Sequence, residues 1–106
     1  MNFLVSAISG NLGQSVSRLI RSYYCNVNII GIDSINPLQG YGLCNKIIKV
    51  PFASDQNYID CILDIVYQNE INLIIPCNDF EAEALKSNAY LYSKTLATKF
   101  NSNSNI

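Results

Sequence analysis

Short apolar segments rich in β-branched residues alternate along this chain with segments of helical periodicity. The apolar segments are residues 3–8, 27–32, 46–50 and 72–75, and each is bounded by turn-forming residues. Helical patterns follow the first, third and fourth of them. Because strands that alternate with helices favour parallel pairing through right-handed crossovers, the sequence predicts a three-layer α/β domain with a mostly parallel sheet of four or five strands.

Each helical segment has an apolar face and a recognisable start. In the first helix, five residues at helical spacing are expected to face the sheet: Leu12, Val16, Leu19, Ile20 and Tyr23. Ser54 or Asp55 is placed to cap the second helix. Asn78, followed three residues later by Glu81, forms a variant of the capping box at the start of the third.

Length and composition exclude several classes of protein. The 106 residues allow one domain, residues 1–100, and the polar tail 101–106 is expected to be disordered. With a net charge of −1 and no basic run, nucleic acid is not an expected partner. The apolar runs are shorter than the ~20 residues that span a bilayer, so no membrane partner is expected. Residues 33–45, rich in Pro and Gly, are interpreted as a loop.

The cysteines and the absence of histidine restrict the chemistry. Four cysteines without CxxC spacing predict free, buried thiols in a cytoplasmic protein and no metal site. Without histidine, no Ser-His-Asp or Cys-His catalytic set can form. Any chemistry would have to use carboxylates, lysine, tyrosine or cysteine, or be supplied by another domain, and we assign no catalytic residues in this chain.

The stretch SGNLG ends the first predicted strand with two glycines three residues apart. In a Rossmann-like sheet of order 3-2-1-4, the loops after strands 1 and 4 flank a crevice at the carboxyl ends of the strands. This topology predicts that Ser9, Gly10 and Asn11 face Cys77, Asn78 and Asp79 across that crevice. Asp33 ends strand 2, 20 residues after Gly13.

Two interpretations of this turn remain open. In the first, a dinucleotide binds over it and Asp33 is a cofactor-binding residue that holds the ribose. Against this, Ile8 occupies the position of the first glycine in the GxGxxG fingerprint. In the second, Gly10 frees the turn, Gly13 lets the helix approach the strand closely, and Asp33 caps the loop that follows it.

The order of these segments resembles the N-terminal domain that precedes the ATP-grasp module in carbamoyl-phosphate-synthase-like ligases. The resemblance covers residues 2–89 and is carried best by VPFASDQNYID and LIIPCNDFEAEAL. It implies an ATP-dependent carboxylate–amine ligase, in which ATP and Mg²⁺ are held by the ATP-grasp domain. This chain would then hold no cofactor itself and would form one wall of the cleft for a small-molecule carboxylate or amine substrate. On the matching positions, the resemblance implies substrate contacts at Ser9, Gly10, Asn11 and Gly13, with Asn78 and Asp79 opposite them. Asn45 departs from the family pattern, where an acidic residue is usual.

The resemblance also implies that the chain is incomplete as a catalyst. No second domain follows residue 106, so we expect a fragment or a truncated descendant that is inactive alone, with an exposed apolar patch where the ATP-grasp domain docks. Two other functions stay open. One is an NAD(P)- or nucleotide-binding module of an oxidoreductase or epimerase, using Gly10, Gly13 and Asp33. The other is a non-catalytic interaction domain that forms a homodimer through an edge strand.

Overall fold

The computed structural model describes residues 1–35, 42–89 and 91 of the chain. Its elements are, in chain order, β1 (Asn2–Val5), α1 (Asn11–Tyr23), β2 (Asn28–Asp33), β3 (Lys46–Lys49), α2 (Tyr58–Gln68), β4 (Leu73–Ile75) and α3 (Asp79–Ser87). Within the described residues the strands form one parallel sheet in the order β3-β2-β1-β4. The predicted α/β class, Rossmann-like fold and strand order are confirmed.

The two central strands, β1 and β2, are buried on both faces of the sheet. In the register of the sheet, Leu4 of β1 lies between Ile30 of β2 and Ile74 of β4. Residues of β1 and β2 are buried almost throughout. Within the described residues, β3 and β4 each pair with a single neighbouring strand, and their residues are half buried or exposed. This is the burial expected where helices cover both faces of the central strands.

Each face of the sheet has its own hydrophobic core. On one face, Leu4 and Ile30 pack with Ile62 of α2 and Leu85 of α3. On the other face, Phe3, Val5 and Ile29 pack with Val16 and Ile20 of α1. The three-layer arrangement therefore has α2 and α3 on one side and α1 on the other.

Helix α1 turns a different face to the sheet from the one expected. Its buried residues are Gly13, Ser17 and Ile20. Leu12, Leu19 and Tyr23, expected to face inward, are each more than half exposed, so that part of the prediction is wrong. The small residues allow a close approach, and the one buried hydroxyl among them is satisfied, because Ser17 Oγ donates to the Gly13 carbonyl at 2.8 Å.

Helix α2 begins later than its predicted caps suggest. Its N-cap is Asn57, whose side chain makes no capping hydrogen bond. Asp55 instead stabilises the turn before the helix, where its Oδ1 accepts from the Asn57 amide at 2.8 Å and its carbonyl from the Tyr58 amide at 3.1 Å. The predicted caps, Ser54 and Asp55, are therefore wrong. The turn brings Tyr58 into the core as the first residue of the helix.

The remaining predictions concern the cysteines, three segments of the chain and the possibility of a membrane-spanning helix. The four cysteines are free, as predicted, but Cys25 is exposed and the other three are only half buried, so the expectation of buried thiols is wrong. Residues 36–41 of the predicted loop, a fifth strand after α3, and the tail 101–106 lie outside the described residues. Among the helices described, none has the length and apolar character needed to cross a membrane.

Candidate functional site

A cleft of about 340 Å³ opens at the carboxyl edge of the sheet. Ser9 and Gly10 line it from the turn after β1, Asn78 lines it from the loop after β4, and Asp33 and Ser34 line it at the end of β2. The strand order predicted that these three segments meet. Parallel α/β sheets place their ligands at this edge, where neighbouring crossovers leave on opposite faces.

The turn after β1 places Ala7 in a backbone conformation that is unusual for a residue with a side chain. Ala7 has a φ of +49°, in the left-handed region that favours glycine. Ile8, the residue at the position of the fingerprint's first glycine, is fully buried in the core and its amide donates to the Ile32 carbonyl at 3.1 Å. The chain thus makes its sharp turn one residue earlier and uses position 8 for packing.

Glycine at two other positions makes room around this turn. A Cβ added to Gly31 would lie 2.7 Å from Ile8 Cγ1, so Gly31 accommodates the buried isoleucine. A Cβ added to Gly13 would lie 2.3 Å from the Ala7 carbonyl oxygen. Gly13 therefore has the structural role of close helix approach. At Gly10 the nearest atom to an added Cβ is 3.4 Å away, which is ordinary contact, and Gly10 faces the cleft.

The two helices that begin at the cleft differ in how their first turns are capped. At α1 the N-cap is Gly10, no side chain caps the first turn, and that turn has no acidic residue. At α3 the Asn78 Oδ1 accepts from the amides of Phe80 at 2.8 Å and Glu81 at 3.1 Å. Because exposed amides and the helix dipole favour negative charge, the start of α1 is the part of the cleft that best suits an anionic group.

Asp33 joins the turn after β1 to the end of β2. It is 7% exposed, its Oδ2 accepts from the Ser9 amide at 3.0 Å, and its Oδ1 accepts from the Ile35 amide at 3.0 Å. The carboxylate therefore caps the loop after β2, as one of the two interpretations proposed, and also holds the turn in place. Each oxygen already accepts one hydrogen bond, so Asp33 is less available to a ribose than a free carboxylate is.

Glu81 is a cleft residue that sequence reasoning assigned to helix capping alone. It is 7% exposed and lines the cleft from the first turn of α3. Its side chain turns inward, where the fully buried Tyr58 hydroxyl donates to its Oε2 at 2.6 Å. Burial raises the pKa of Glu81, the Asp33 charge raises it further, and hydrogen bonds from Tyr58 and Ser6 oppose the shift.

The spacing of residues along α3 indicates that Glu81 lies on the core-facing side of the helix. Glu81 lies four residues before the buried Leu85, on the same face of α3. A carboxyl group on a core-facing position needs a hydrogen-bonding partner. Tyr58 supplies it from α2, but that pairing depends on the tertiary arrangement of the two helices and no local pattern indicates it.

The structure brings together only some of the expected substrate contacts. Ser9, Gly10 and Asn78 line the cleft. Asn11 and Asp79 are exposed first residues of their helices, and Gly13 lies buried beneath the turn. Within the described residues, no group of three or more potential metal-ligating side chains is found.

A second lobe of about 390 Å³ adjoins the cleft on the side of α2 and α3. The two lobes share Ser34, Ile35, Asn78 and Glu81. Phe52 and Phe80 line only the second lobe, which is the more apolar of the two. Sequence analysis did not single out either phenylalanine.

The fold and the cleft define a Rossmann-like α/β domain with an open crevice at the carboxyl ends of its strands. Residues 7–95 match the family model described as PylC-like, N-terminal domain. The match covers most of the chain, which therefore belongs to this family, a domain of ATP-grasp ligases. The resemblance found in the sequence is confirmed at that level.

A solved structure supports the fold. The dTDP-glucose 4,6-dehydratase (rfbB) from Bacillus anthracis str. Ames, in complex with NAD, superposes with a TM-score of 0.60 and 15% identity. The alignment covers 74% of this chain and 26% of the dehydratase chain, so this chain spans about a quarter of that protein. At this identity the similarity concerns the fold alone. No curated protein is significantly similar to the chain in sequence.

Proposed function

We propose that this chain is the N-terminal substrate-cleft domain of an ATP-dependent carboxylate–amine ligase of the ATP-grasp superfamily. The observation that carries the proposal is the family match over residues 7–95. In this class of reaction ATP phosphorylates the carboxylate, and the amine then attacks the acyl phosphate and displaces phosphate. The domain that follows holds ATP and Mg²⁺, and this chain alone does not catalyse ligation. We place the protein in the cytoplasm, which its free cysteines support.

The cleft supplies groups suited to a wall of such a site. The first turn of α1, uncapped by any side chain, favours the negative charge of a substrate carboxylate or its acyl phosphate. Ser9 and Asn78 add polar groups on opposite sides of the cleft. Because Asp33 and Gly13 hold the turn by contacts to the backbone, these groups are positioned before any ligand arrives.

The exposed face of α1 supports the docking of a further domain. Leu12, Leu19 and Tyr23 are spaced by seven and four residues, so they lie along one side of the helix, and all are exposed. An apolar stripe of this kind is suited to burial against another domain. It is the place where we expect the ATP-grasp domain to pack.

The experiment measures ADP formation with Mg²⁺ and ATP by the 106-residue chain alone, and by the chain mixed with a PylC-like ligase that lacks its own N-terminal domain. We expect background turnover by the chain and ATP-dependent ligation only in the mixture. As a control, Leu19→Asp places a charge on the exposed stripe and should weaken reconstitution without unfolding the chain. ATP hydrolysis by the isolated chain would refute the proposal.

A second candidate function is an NAD(P)-binding module, favoured by the start of α1 and by the position of Asp33 at the end of β2. Both oxygens of Asp33 accept backbone amides, which weakens this alternative. Titration with NADH and NADPH separates the two candidates. Micromolar binding at least ~100-fold tighter than that of adenosine would favour the NAD(P) module over the ligase domain.

A further inference from the structure

Three large apolar side chains are exposed around the second lobe of the cleft. Ile35 follows β2, Phe52 follows β3, and Phe80 lies in the first turn of α3 after β4. They are 70%, 61% and 80% exposed, respectively. Single exposed apolar residues are common on protein surfaces, but three from separate segments around one cavity form a patch of the kind that marks an interaction site.

Exposed carboxylates border this apolar patch. Asp79 directly precedes Phe80, and Glu83 lies three residues after Phe80, on the same side of α3. At the segment after β3, Asp55 lies in the turn that begins at Phe52, because its amide donates to the Phe52 carbonyl at 2.9 Å. All three acids are exposed. Two of the three segments that form the patch therefore give it an acidic border.

The basic side chains of the described residues lie elsewhere. No lysine or arginine is among the described lining residues of either lobe. Lys86 is in the last turn of α3, and Lys46 is the first residue of β3, so both are distant along their elements from the carboxyl edge. Lys49 shares its side of β3 with Ile47, which packs in the core beneath α1 on the opposite face of the sheet. The surroundings of the patch therefore carry net negative charge.

The combination of apolar surface and negative charge favours one class of macromolecule. An acidic border repels nucleic acid and the anionic headgroups of a membrane surface. The lobe, about 390 Å³, has the volume of a small-molecule site, so it can take one or two large side chains but not a folded surface. A protein segment with apolar residues beside lysine or arginine fits both the volume and the charge.

We propose that the second lobe docks a segment of a separate partner protein, in which one or two large apolar side chains lie between lysine or arginine residues. The apolar side chains cover Phe52 and Phe80, and the basic ones pair with the acidic border. Helix α1, whose exposed stripe is assigned to the ATP-grasp domain, lies on the opposite face of the sheet from this lobe. A domain docked on that stripe leaves the lobe open, so this proposal goes beyond the ligase function and does not depend on it.

The first test is an NMR titration of the whole chain with two capped tetrapeptides, one with two leucines between lysines and one with two leucines between glutamates. We expect the lysine peptide to bind at least about tenfold more tightly than the glutamate peptide, with shifts at Ile35, Phe52 and Phe80. Its affinity should fall severalfold when NaCl is raised from about 0.05 M to about 0.5 M. Absence of binding of the lysine peptide at about 5 mM, or equal affinity for both peptides, would overturn the proposal.

Variants locate the contact. Phe80→Ala should weaken binding of the lysine peptide at least about fivefold. The matched control is Tyr67→Ala, which removes a ring of similar exposure, 76%, from a position on α2 that lines neither lobe. Glu83→Gln should weaken binding about twofold to threefold, and Asp64→Asn, which removes an exposed acid of α2 that lines neither lobe, should have a smaller effect. If Phe80→Ala binds the peptide as tightly as the wild type, the proposed site is wrong.

Two further measurements test other occupants of the lobe. Sedimentation of the chain at up to about 0.5 mM detects a second copy, and a dimer that Phe80→Ala dissociates would contradict the proposal. In the mixture with a PylC-like ligase that lacks its N-terminal domain, we expect Leu19→Asp to weaken reconstitution more than Phe80→Ala does. If Phe80→Ala abolishes reconstitution and Leu19→Asp does not, the lobe holds the ATP-grasp domain, and the proposal of a separate partner is wrong while the ligase function stands.

Discussion

Gly13 is the residue at which a single methyl group should most disturb the fold without touching the hydrophobic core directly. It lies in the first turn of α1, under the turn that follows β1. The methyl group of a Gly13→Ala variant would lie 2.3 Å from the Ala7 carbonyl oxygen and 3.0 Å from Ile8 Cα. Both are backbone-held atoms, so neither can rotate away as a side chain would.

The expected cost follows from that overlap. Ordinary contact begins near 3.4 Å, so α1 and the turn must separate by about 1 Å, which loosens the packing of Ile20 on the sheet. Overpacking of this kind costs about 3 kcal/mol. Alanine recovers up to ~1 kcal/mol through its higher helix propensity. The net loss of unfolding free energy is then about 2 kcal/mol, or roughly 8–16 °C in Tm for a domain of this size.

Urea denaturation followed by far-UV circular dichroism measures this loss. Gly10→Ala is the matched control, because Gly10 has an extended conformation with φ of −81° and the added Cβ meets its nearest atom at 3.4 Å. It should cost less than ~1 kcal/mol, the usual effect of losing a good N-cap residue. Wild-type or higher stability of Gly13→Ala would refute the close approach of α1 to the turn.

Three further substitutions, each with its own control, test contacts at the cleft and at the start of β3. Asn78→Ala should cost ~1 kcal/mol in urea denaturation, since it removes the acceptor for two amides of α3, whereas Asn78→Ser should retain most of the stability. Tyr58→Phe should cost ~1–2 kcal/mol near neutral pH and less near pH ~4, because the lost donor stabilised the ionised form of Glu81. In the wild type and in Tyr58→Phe, the pKa of Glu81 is raised in the folded state. The free energy of unfolding should therefore fall as the pH rises from the ordinary pKa of glutamate through the folded-state pKa of Glu81, and Glu81→Gln should remove this slope. Asn45→Asp should add up to ~1 kcal/mol by pairing with Arg21, which already donates to Asn45 Oδ1 at 2.7 Å, and the gain should vanish in Arg21→Gln.

The sheet was predictable because its signal is local and repeated. The four apolar runs correspond to β1–β4 with ends that differ by at most three residues, and the alternation with helices determines parallel pairing. The order β3-β2-β1-β4 then follows from general rules of doubly wound sheets. The meeting of the loops after β1 and β4 is a consequence of that order, which is why Ser9, Gly10 and Asn78 could be placed together without a structure.

The orientation of α1 was not predictable from apolar residues alone. The largest apolar side chains of the helix, among them Leu12 and Leu19, point to solvent, while Gly13 and Ser17 face the sheet. A hydrophobic pattern assumes that burial follows side-chain size. At Gly13 the helix approaches the turn so closely that no side chain fits, and this fixes a helix face on which Ile20 is buried while Leu12 and Leu19 are left on a surface suited to another domain.

The turn after β1 also shows why glycine spacing is weak evidence for a ligand. Gly13 is needed because the Ala7 carbonyl lies too close for any side chain, and Ile8 fills the space that Gly31 leaves open. Asp33 accepts hydrogen bonds from two backbone amides. These contacts would be needed to hold the turn whether or not a ligand binds there. The features without such an explanation are the first turn of α1, which no side chain caps, and the exposed ring of Phe80 at the second lobe. These two features are therefore the parts of the domain most directly tied to function, and variants that test binding belong there.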